Sequence, residues 1–285
     1  MNRLSTVETA LSSRDATLGY RRFETADLDD ALTLSQRLGW PHRREDWAQM
    51  LEVGSGLALR SETGALVGTG FCIDQGAMAT LGLIVVDDAW QGRGLGREMM
   101  ERLMQLAGER PVSLVATTAG APLYRKMGFE TCGLVCQYQG VIEPTAGPTS
   151  PALRRFGPED REALLSLAPD NAVHGLAVNS ALEGVLLDNS GEIEGVALWR
   201  AFGRGYHIGP VLADSASTTR ALIEALLAAH PGDFVRLDLV DPPADDTWLQ
   251  AAGLRCVDRV EQMHRGTLPV TDGPRRAGLM TQAMG

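Results

Sequence analysis

Residues 83–96 combine the residue types of an anion-binding turn. An apolar run of strand length ends at Val86, and a turn follows in which Gly92, Gly94 and Gly96 alternate with other residues before an amphipathic helix. Because glycine has no Cβ, the backbone can approach a ligand closely there. The free N–H groups and the dipole at a helix N-terminus favour an anion. The pattern therefore predicts a site for a pyrophosphate.

Two widespread phosphate-binding turns fit this stretch poorly. A Rossmann turn needs a third glycine where Arg97 stands and opens a βαβ unit, whereas three predicted strands precede this turn. A P-loop needs a Lys-Ser/Thr pair after its last glycine, and here Arg97 and Glu98 follow. Both alternatives are disfavoured.

A second segment, residues 123–130, lies downstream by one predicted helix and one strand and contains Tyr124. The glycine turn, through Gln91, Gly94 and Gly96, resembles the Gln/Arg-x-x-Gly-x-Gly/Ala motif of the GCN5-related N-acetyltransferases (GNAT). The second segment resembles the (Leu/Phe)-Tyr-x-x-x-Gly-Phe signature of the same family. The resemblance covers about residues 18–142.

This resemblance implies an α+β (mixed α/β) fold, with tandem domains that each have a mostly antiparallel central sheet, splayed parallel strands and flanking helices. It implies acetyl-CoA as cosubstrate and no metal. Tyr124 would protonate the leaving thiolate, because a tyrosine with a reference pKa of about 10 is protonated at neutral pH. A backbone amide near Val86 would polarise the thioester carbonyl. The implied CoA-binding residues are Ile84, Val85, Val86, Gln91, Gly92, Arg93, Gly94, Leu95, Gly96 and Arg97.

The acceptor side has weaker signals. Its candidates are Trp40, His42, Asp74 and Thr117, and Thr117 stands where the family often has an asparagine. No general base is evident, because the strand that ends at Val86 has no acidic residue. The open alternatives are a water chain, an amine that arrives neutral, or a side chain among Asp74, His42, Glu45 and Asp46.

The chain divides near its middle at residues 143–151, a stretch rich in Pro, Gly, Ser and Thr that can continue neither helix nor sheet. An Arg-Arg-Phe run followed by Asp27 recurs with identical spacing before Asp160, and the later elements repeat in order. We predict a flexible N-terminus (1–17), a catalytic domain (18–142), a linker (143–151), a degenerate related domain (152–270) and a flexible tail (271–285).

The second half has lost the chemistry of the first. Residues 214–219, which correspond to the glycine turn, contain no glycine and begin with Asp214, which would repel a phosphate. Leu249 stands opposite Tyr124 when the halves are aligned. We expect one CoA per chain, with the second half as a lid or acceptor-side wall. Its weak candidates for contact with the acceptor are His207, Asp238 and Asp241.

Composition limits the class of partner. The chain has 285 residues and a formal charge of 26 minus 36, or −10, which argues against nucleic acid and anionic membranes. The four cysteines form no CxxC pair, and the N-terminus has no apolar signal-peptide core. We expect a cytoplasmic protein, monomeric or homodimeric.

The resulting expectation is an N-acetyltransferase that transfers acetyl directly to a small-molecule primary amine in a ternary complex. The alternatives are a peptide or protein N-acetyltransferase and a non-catalytic acyl-CoA sensor or scaffold.

Overall fold

The computed structural model describes residues 18–150, 152–167, 171–269 and 274–285. The predicted flexible N-terminus, residues 1–17, lies outside the described residues. The elements of the first half follow in this order: β1 (Leu18–Arg22), α1 (Leu28–Arg37), α2 (Arg44–Val53), β2 (Gly54–Ser61), β3 (Leu66–Gln75), β4 (Met78–Val86), α3 (Leu95–Ala107), β5 (Val112–Ala116), α4 (Ala121–Lys126) and β6 (Glu130–Val141).

The second half repeats this order of strands and helices, as the sequence repeat predicts. Its elements are β7 (Leu153–Arg155), α5 (Arg161–Ser166), α6 (Ala172–Ser180), β8 (Glu183–Asn189), β9 (Glu192–Phe202), β10 (Gly205–Ala213), α7 (Ala216–Ala229), β11 (Phe234–Val240), α8 (Thr247–Ala251) and β12 (Arg255–Arg265). A further strand, β13 (Arg275–Gly278), has no counterpart in the first half.

The repeated Arg-Arg-Phe segment builds the same clamp in both halves. Asp27 accepts a hydrogen bond from Nη1 of Arg21 at 2.8 Å and from the backbone N–H three residues before it at 2.9 Å. Asp160 accepts from Nη1 of Arg154 at 2.8 Å and from the equivalent N–H at 2.7 Å. Each aspartate thus ties the first strand of its half to the start of the following helix, which explains the identical spacing.

The thirteen strands of the described ranges belong to one sheet, in the order β1-β2-β3-β4-β5-β12-β6-β11-β13-β10-β9-β8-β7. The last strands of the two halves are exchanged. β12, from the second half, pairs with β5 of the first, and β6, from the first half, pairs with β11 of the second. β6 and β12 also pair with each other. Sequence patterns did not predict this exchange, which makes the two halves one continuous structure.

Two parallel strand pairs separate along their length. β4 and β5 pair only at Ala79 with Val112 and at Thr80 with Ser113, and then diverge. β10 and β11 pair over Tyr206–Ile208, and β13 then lies between them, antiparallel to both. The predicted α+β class, with a mostly antiparallel sheet and splayed parallel strands, is confirmed.

The prediction of a flexible tail is wrong for residues 274–285. β13 pairs with β10, and Leu279, Met280 and Met284 are at most 1% exposed. The backbone carbonyl of Met284 accepts a hydrogen bond from Nε2 of Gln75 on β3 at 2.5 Å. The tail contacts strands that are distant in sequence, β10 and β3. Its local Gly/Pro-rich composition therefore gave no indication that it is ordered.

Two helical layers cover the sheet. One hydrophobic cluster joins α1, α2, α5 and α6 from both halves with the tail residues Met280 and Met284. On the opposite face, α3 and α4 pack in one cluster, and α7 and α8 pack in another. Ala58 belongs to the first cluster and its neighbours Leu57 and Leu59 to the α3 cluster, as expected for alternate residues of a strand. Among the helices of the described ranges, none is long and apolar enough to span a bilayer.

We predict that Gly82→Ala destabilises the protein by displacing the tail. A Cβ at Gly82 would overlap the backbone carbonyl of Ala283. Overpacking of this kind costs about 1–3 kcal/mol, so urea denaturation should show a loss of that order in the free energy of unfolding. Gly175→Ala in α6 is the control, because its Cβ would meet no atom within 4 Å. Equal stability of the two variants would contradict the role assigned to the tail.

Candidate functional site

A cavity of about 890 Å³ opens where β4 and β5 diverge. One end is lined by the glycine turn before α3, and the middle by β4 and by Tyr124 of α4. The α1–α2 loop and residues of the second half line the remainder of the wall. The cavity therefore joins the predicted pyrophosphate turn to the predicted catalytic tyrosine.

The glycine turn has the backbone geometry that its glycines allow. Gly92 and Gly94 have φ angles of 76° and 82°, in the left-handed region, and a Cβ on either would meet no atom within 4 Å. The Gln91 side chain braces the turn, because its Nε2 donates to the carbonyl of Val86 at 3.0 Å and to Oδ1 of Asp88 at 2.8 Å. The turn thus presents bare backbone at the N-terminus of α3, which suits an anion.

Most of the predicted CoA-binding residues line the cavity, namely Ile84, Val85, Val86, Gln91, Gly92, Gly94, Leu95, Gly96 and Arg97. Arg93 is not among the lining residues, and its guanidinium lies over the Trp90 ring, 4.8 Å from the centroid.

A bulge in β4 changes the face of the sheet toward which its side chains point. Leu83 has a φ of 48°, and the pairing with β3 shifts at this point. Thr69 Oγ1 donates to the Leu83 carbonyl at 2.9 Å and holds the bulge in place. As a result Leu81 packs with the α3 cluster and Leu83 with the α1 and α2 cluster. Beyond Thr80, β5 no longer pairs with β4, so the edge of β4 along the cavity is available to a ligand.

Tyr124 lies in the wall of the cavity and is 7% exposed. Burial raises its pKa to about 12, so the hydroxyl is protonated at physiological pH. Gly120 permits this position, because a Cβ there would approach the tyrosine Oη to 3.0 Å. Thr117 also lines the cavity, and its Oγ1 accepts the Gly120 N–H at 3.1 Å, which shapes the turn into α4.

The α1–α2 loop brings Trp40 and His42 to the acceptor end of the cavity. The His42 ring contacts the rings of Trp40, Trp47 and Phe202, with centroids 5.7–6.1 Å apart. Burial lowers the pKa of His42 to about 4, and its Nδ1 is buried without a hydrogen-bond partner in the described residues. His42 is therefore neutral at physiological pH.

The prediction of Asp74 as an acceptor-side residue is wrong, because Asp74 does not line the cavity. It lies at the far end of β3, away from the cavity, where its Oδ1 forms an ion pair with Arg110 at 2.9 Å. Asp46 is buried and bound to Arg43 at 2.7 Å, and Glu45 is not among the cavity-lining residues. Of the four side chains considered as bases, the structure brings His42 alone into the wall of this cavity.

Sequence reasoning missed the second-half residues that close the acceptor end, which are Phe202, Arg236, Asp258, Thr281, Gln282 and Ala283, and it also missed Gln137 on β6. They meet because β6 and β12 are exchanged and the tail folds back. An alignment of the halves matches β6 with β12 but cannot show that the two strands are exchanged, and β13 has no strand to align with among the described residues of the first half.

A buried network supports this end of the cavity. Asp238 accepts hydrogen bonds from Nε and Nη2 of Arg236 at 2.9 and 3.0 Å, from Nε2 of His207 at 3.1 Å and from Nε2 of Gln282 at 3.0 Å. Burial alone would raise the pKa of Asp238, but Arg236 and His207 outweigh it and hold that pKa well below its usual value. Asp241 instead accepts the N–H of Leu134 at 3.0 Å and does not line the cavity.

The second half fills the place where the first half has its cavity. β13 occupies the space between β10 and β11. Ser215 caps α7 by accepting the N–H of Thr218 at 3.1 Å, in place of a glycine turn. Leu249, aligned with Tyr124, is fully buried.

The comparisons with known proteins agree with this geometry. Residues 55–131 match a family model described as an Acetyltransferase (GNAT) domain, and residues 154–274 match a second model with that description. The uncharacterized N-acetyltransferase YitH of Bacillus subtilis (strain 168) is 27% identical over 230 residues, 76% of this chain and 79% of YitH.

Solved structures share the fold over almost the whole chain. A putative acetyltransferase from Pyrococcus horikoshii has a TM-score of 0.75 at 20% identity, and the match covers 97% of this chain and 98% of that one. A GCN5-related N-acetyltransferase from Sphaerobacter thermophilus has a TM-score of 0.61 at 14% identity, with 93% and 98% covered.

We predict that stability falls as the pH is lowered from about 6.5 to about 4, partly through His42. The unfolded chain binds a proton on this residue near pH 6.5, and the folded protein near pH 4. In that window the unfolded state holds more protons, so one such group lowers the free energy of unfolding by up to about 1.4 kcal/mol per pH unit.

The His42→Asn variant tests this. When the free energy of unfolding is measured by urea denaturation at a series of pH values, its dependence on pH should be weaker in the variant than in the wild type. His174 and His207, whose pKa values are also lowered by burial, contribute equally in both proteins. Identical slopes would contradict a buried, neutral His42.

Proposed function

Because the chain belongs to the acetyltransferase (GNAT) family and is an acyltransferase, we propose that it acetylates a primary amine of a small molecule, with acetyl-CoA as the donor. The supporting observation is the continuous cavity, which has the glycine turn at one end and is closed by the second half at the other. Both substrates would occupy this space together, so transfer would be direct within a ternary complex.

The residues at the glycine turn fit acetyl-CoA. The space beside Gly92 and Gly94 is open, and the first turn of α3 presents unpaired N–H groups to it. We assign the pyrophosphate to the backbone of residues 92–97 and the pantetheine arm to the free edge of β4 at Ile84, Val85 and Val86. Bound there, acetyl-CoA supplies an activated thioester.

Tyr124 is our candidate for the proton donor to the leaving thiolate. Its hydroxyl makes no hydrogen bond to any described residue, lies in the cavity wall and remains protonated with a pKa of about 12. His42, with a pKa of about 4, is a weak base but a good hydrogen-bond acceptor for an amine N–H. We infer that the acceptor reacts as the free amine.

Walls from both halves of the chain around the proposed acceptor position favour a small acceptor over a protein segment. Trp40 and His42 on one side and Phe202 and Gln282 on the other restrict it. A peptide acetyltransferase would need an open groove, and a sensor would need no turnover. A panel of small amines and short peptides with acetyl-CoA, monitored by release of free thiol, tests all three. Peptide-only turnover or none would reject this proposal.

We predict that Gly94→Val weakens CoA binding while Gly64→Val does not. Both glycines have a φ of 82° with no atom within 4 Å of the added Cβ, so the backbone strain is matched. The new side chain at position 94 would occupy the space assigned to the pyrophosphate. Calorimetry should show one CoA per chain and an affinity loss of about tenfold or more, equivalent to about 1.4 kcal/mol, for Gly94→Val. Wild-type affinity in that variant, or a second CoA per chain, would reject the site.

We predict that Tyr124→Phe lowers kcat and leaves the Kd for CoA unchanged. The ring keeps its packing against Phe129, whose centroid lies 6.1 Å away, while the proton donor is lost. General acid catalysis contributes about 10²–10⁴-fold, and an already acidic thiol places this case at or below the lower value. Tyr206→Phe is the control. Tyr206 stacks on Trp199 with centroids 4.9 Å apart, and Tyr206 is not among the residues that line the cavity. Equal turnover of both variants from pH 6 to 9 would make Tyr124 a packing residue.

A further inference from the structure

Arg236 lines the acceptor end of the cavity from β11, and its side chain is 14% exposed. One edge of its guanidinium, formed by Nε and Nη2, binds both oxygens of Asp238 at 2.9 and 3.0 Å. Asp238 is itself fixed by His207 and Gln282. Phe202 lies 5.5 Å from the guanidinium carbon and covers the face of the group. The plane and the orientation of the guanidinium are therefore set before any ligand binds.

The second edge of the same guanidinium is available. Nη1 makes no hydrogen bond to the described residues and is not among the buried, unpartnered atoms. Together with the second N–H of Nη2 it forms two parallel donors. A planar carboxylate matches this edge with two charge-assisted hydrogen bonds.

The charges that interact with buried Arg200, a group that includes Arg236, also favour an anion. Arg43, Arg200 and Arg236 contribute three positive charges, and Asp46 and Asp238 contribute two negative ones. Arg200 is 1% exposed, donates to the carbonyl of Met280, and keeps Nε and Nη1 without partners in the described residues. Asp258 also lines the cavity but is exposed on β12, where solvent screens its charge.

We propose that the acceptor carries a carboxylate beside its reactive amine, as an amino acid does, and that Arg236 binds this carboxylate through its free edge. This deepens the proposed function and rests on it for the identity of the reaction. The acceptor would lie with its carboxylate on Arg236 and its amine toward Tyr124 and the free edge of β4.

The test uses matched acceptors, the amino acids and the corresponding amino-acid amides, with acetyl-CoA and thiol release. We expect at least one amino acid to be preferred over its amide, with a KM lower by about 10- to 100-fold, as for hydrogen bonds to a charged group. In Arg236→Lys, which keeps the charge but loses the fork, that preference should shrink, while the Kd for CoA stays unchanged. Because this substitution perturbs the buried Asp238, the double variant Arg236→Gln/Asp238→Asn removes the pair together and should show the same loss.

A binding measurement separates the two proposals. The thermal shift of the CoA-saturated protein is recorded with each amino acid and with its amide. An Arg236-dependent shift by amino acids, in the absence of any turnover, would support the carboxylate site and overturn the proposed function. Turnover of amines with no preference for a carboxylate in either assay would leave the function standing and overturn the carboxylate site.

Discussion

The antiparallel pairing of β6 with β12 is the constraint on which the rest of the structure depends. Each strand completes the sheet of the other half, so neither half has a full set of strands by itself. The exchange brings Gln137 of β6, Asp258 of β12 and Arg236 of β11 to one end of the cavity. A cavity that is lined by residues from both halves follows from this pairing.

The second constraint is the divergence of two parallel strand pairs, β4 from β5 in the first half and β10 from β11 in the second. The space between the strands is filled differently in the two halves. In the first half the space between the strands is a cavity with a glycine turn at its mouth. In the second half β13 fills the corresponding space with backbone from the same chain. A strand that pairs along β10 takes the place that we assign, along β4, to the pantetheine arm. The same arrangement of strands thus encloses a cavity in the first half and an additional strand in the second.

Local chemistry made the conformation of the glycine turn before α3 predictable. The positive φ angles at Gly92 and Gly94 favour glycine at both positions. Because the turn and the start of the following helix are formed by residues adjacent in sequence, a short motif is enough to predict them. The acceptor end was not predictable, because Arg236 and Gln282 reach it through strand exchange and a folded tail. Asp74, one of the candidate bases, lies at the opposite end of the β3–β4 pair from the cavity, which the sequence pattern alone did not indicate.

The strand order has a consequence for the way the protein is made on the ribosome. β5 is complete at Ala116, yet its neighbour β12 is synthesised only when Arg265 is reached. Until then the edge of β5 that pairs with β12 is unpaired in the nascent first half, and such edges invite non-native pairing. The first half can therefore complete its strand pairing only after Arg265 has been synthesised, although its own last strand, β6, ends at Val141.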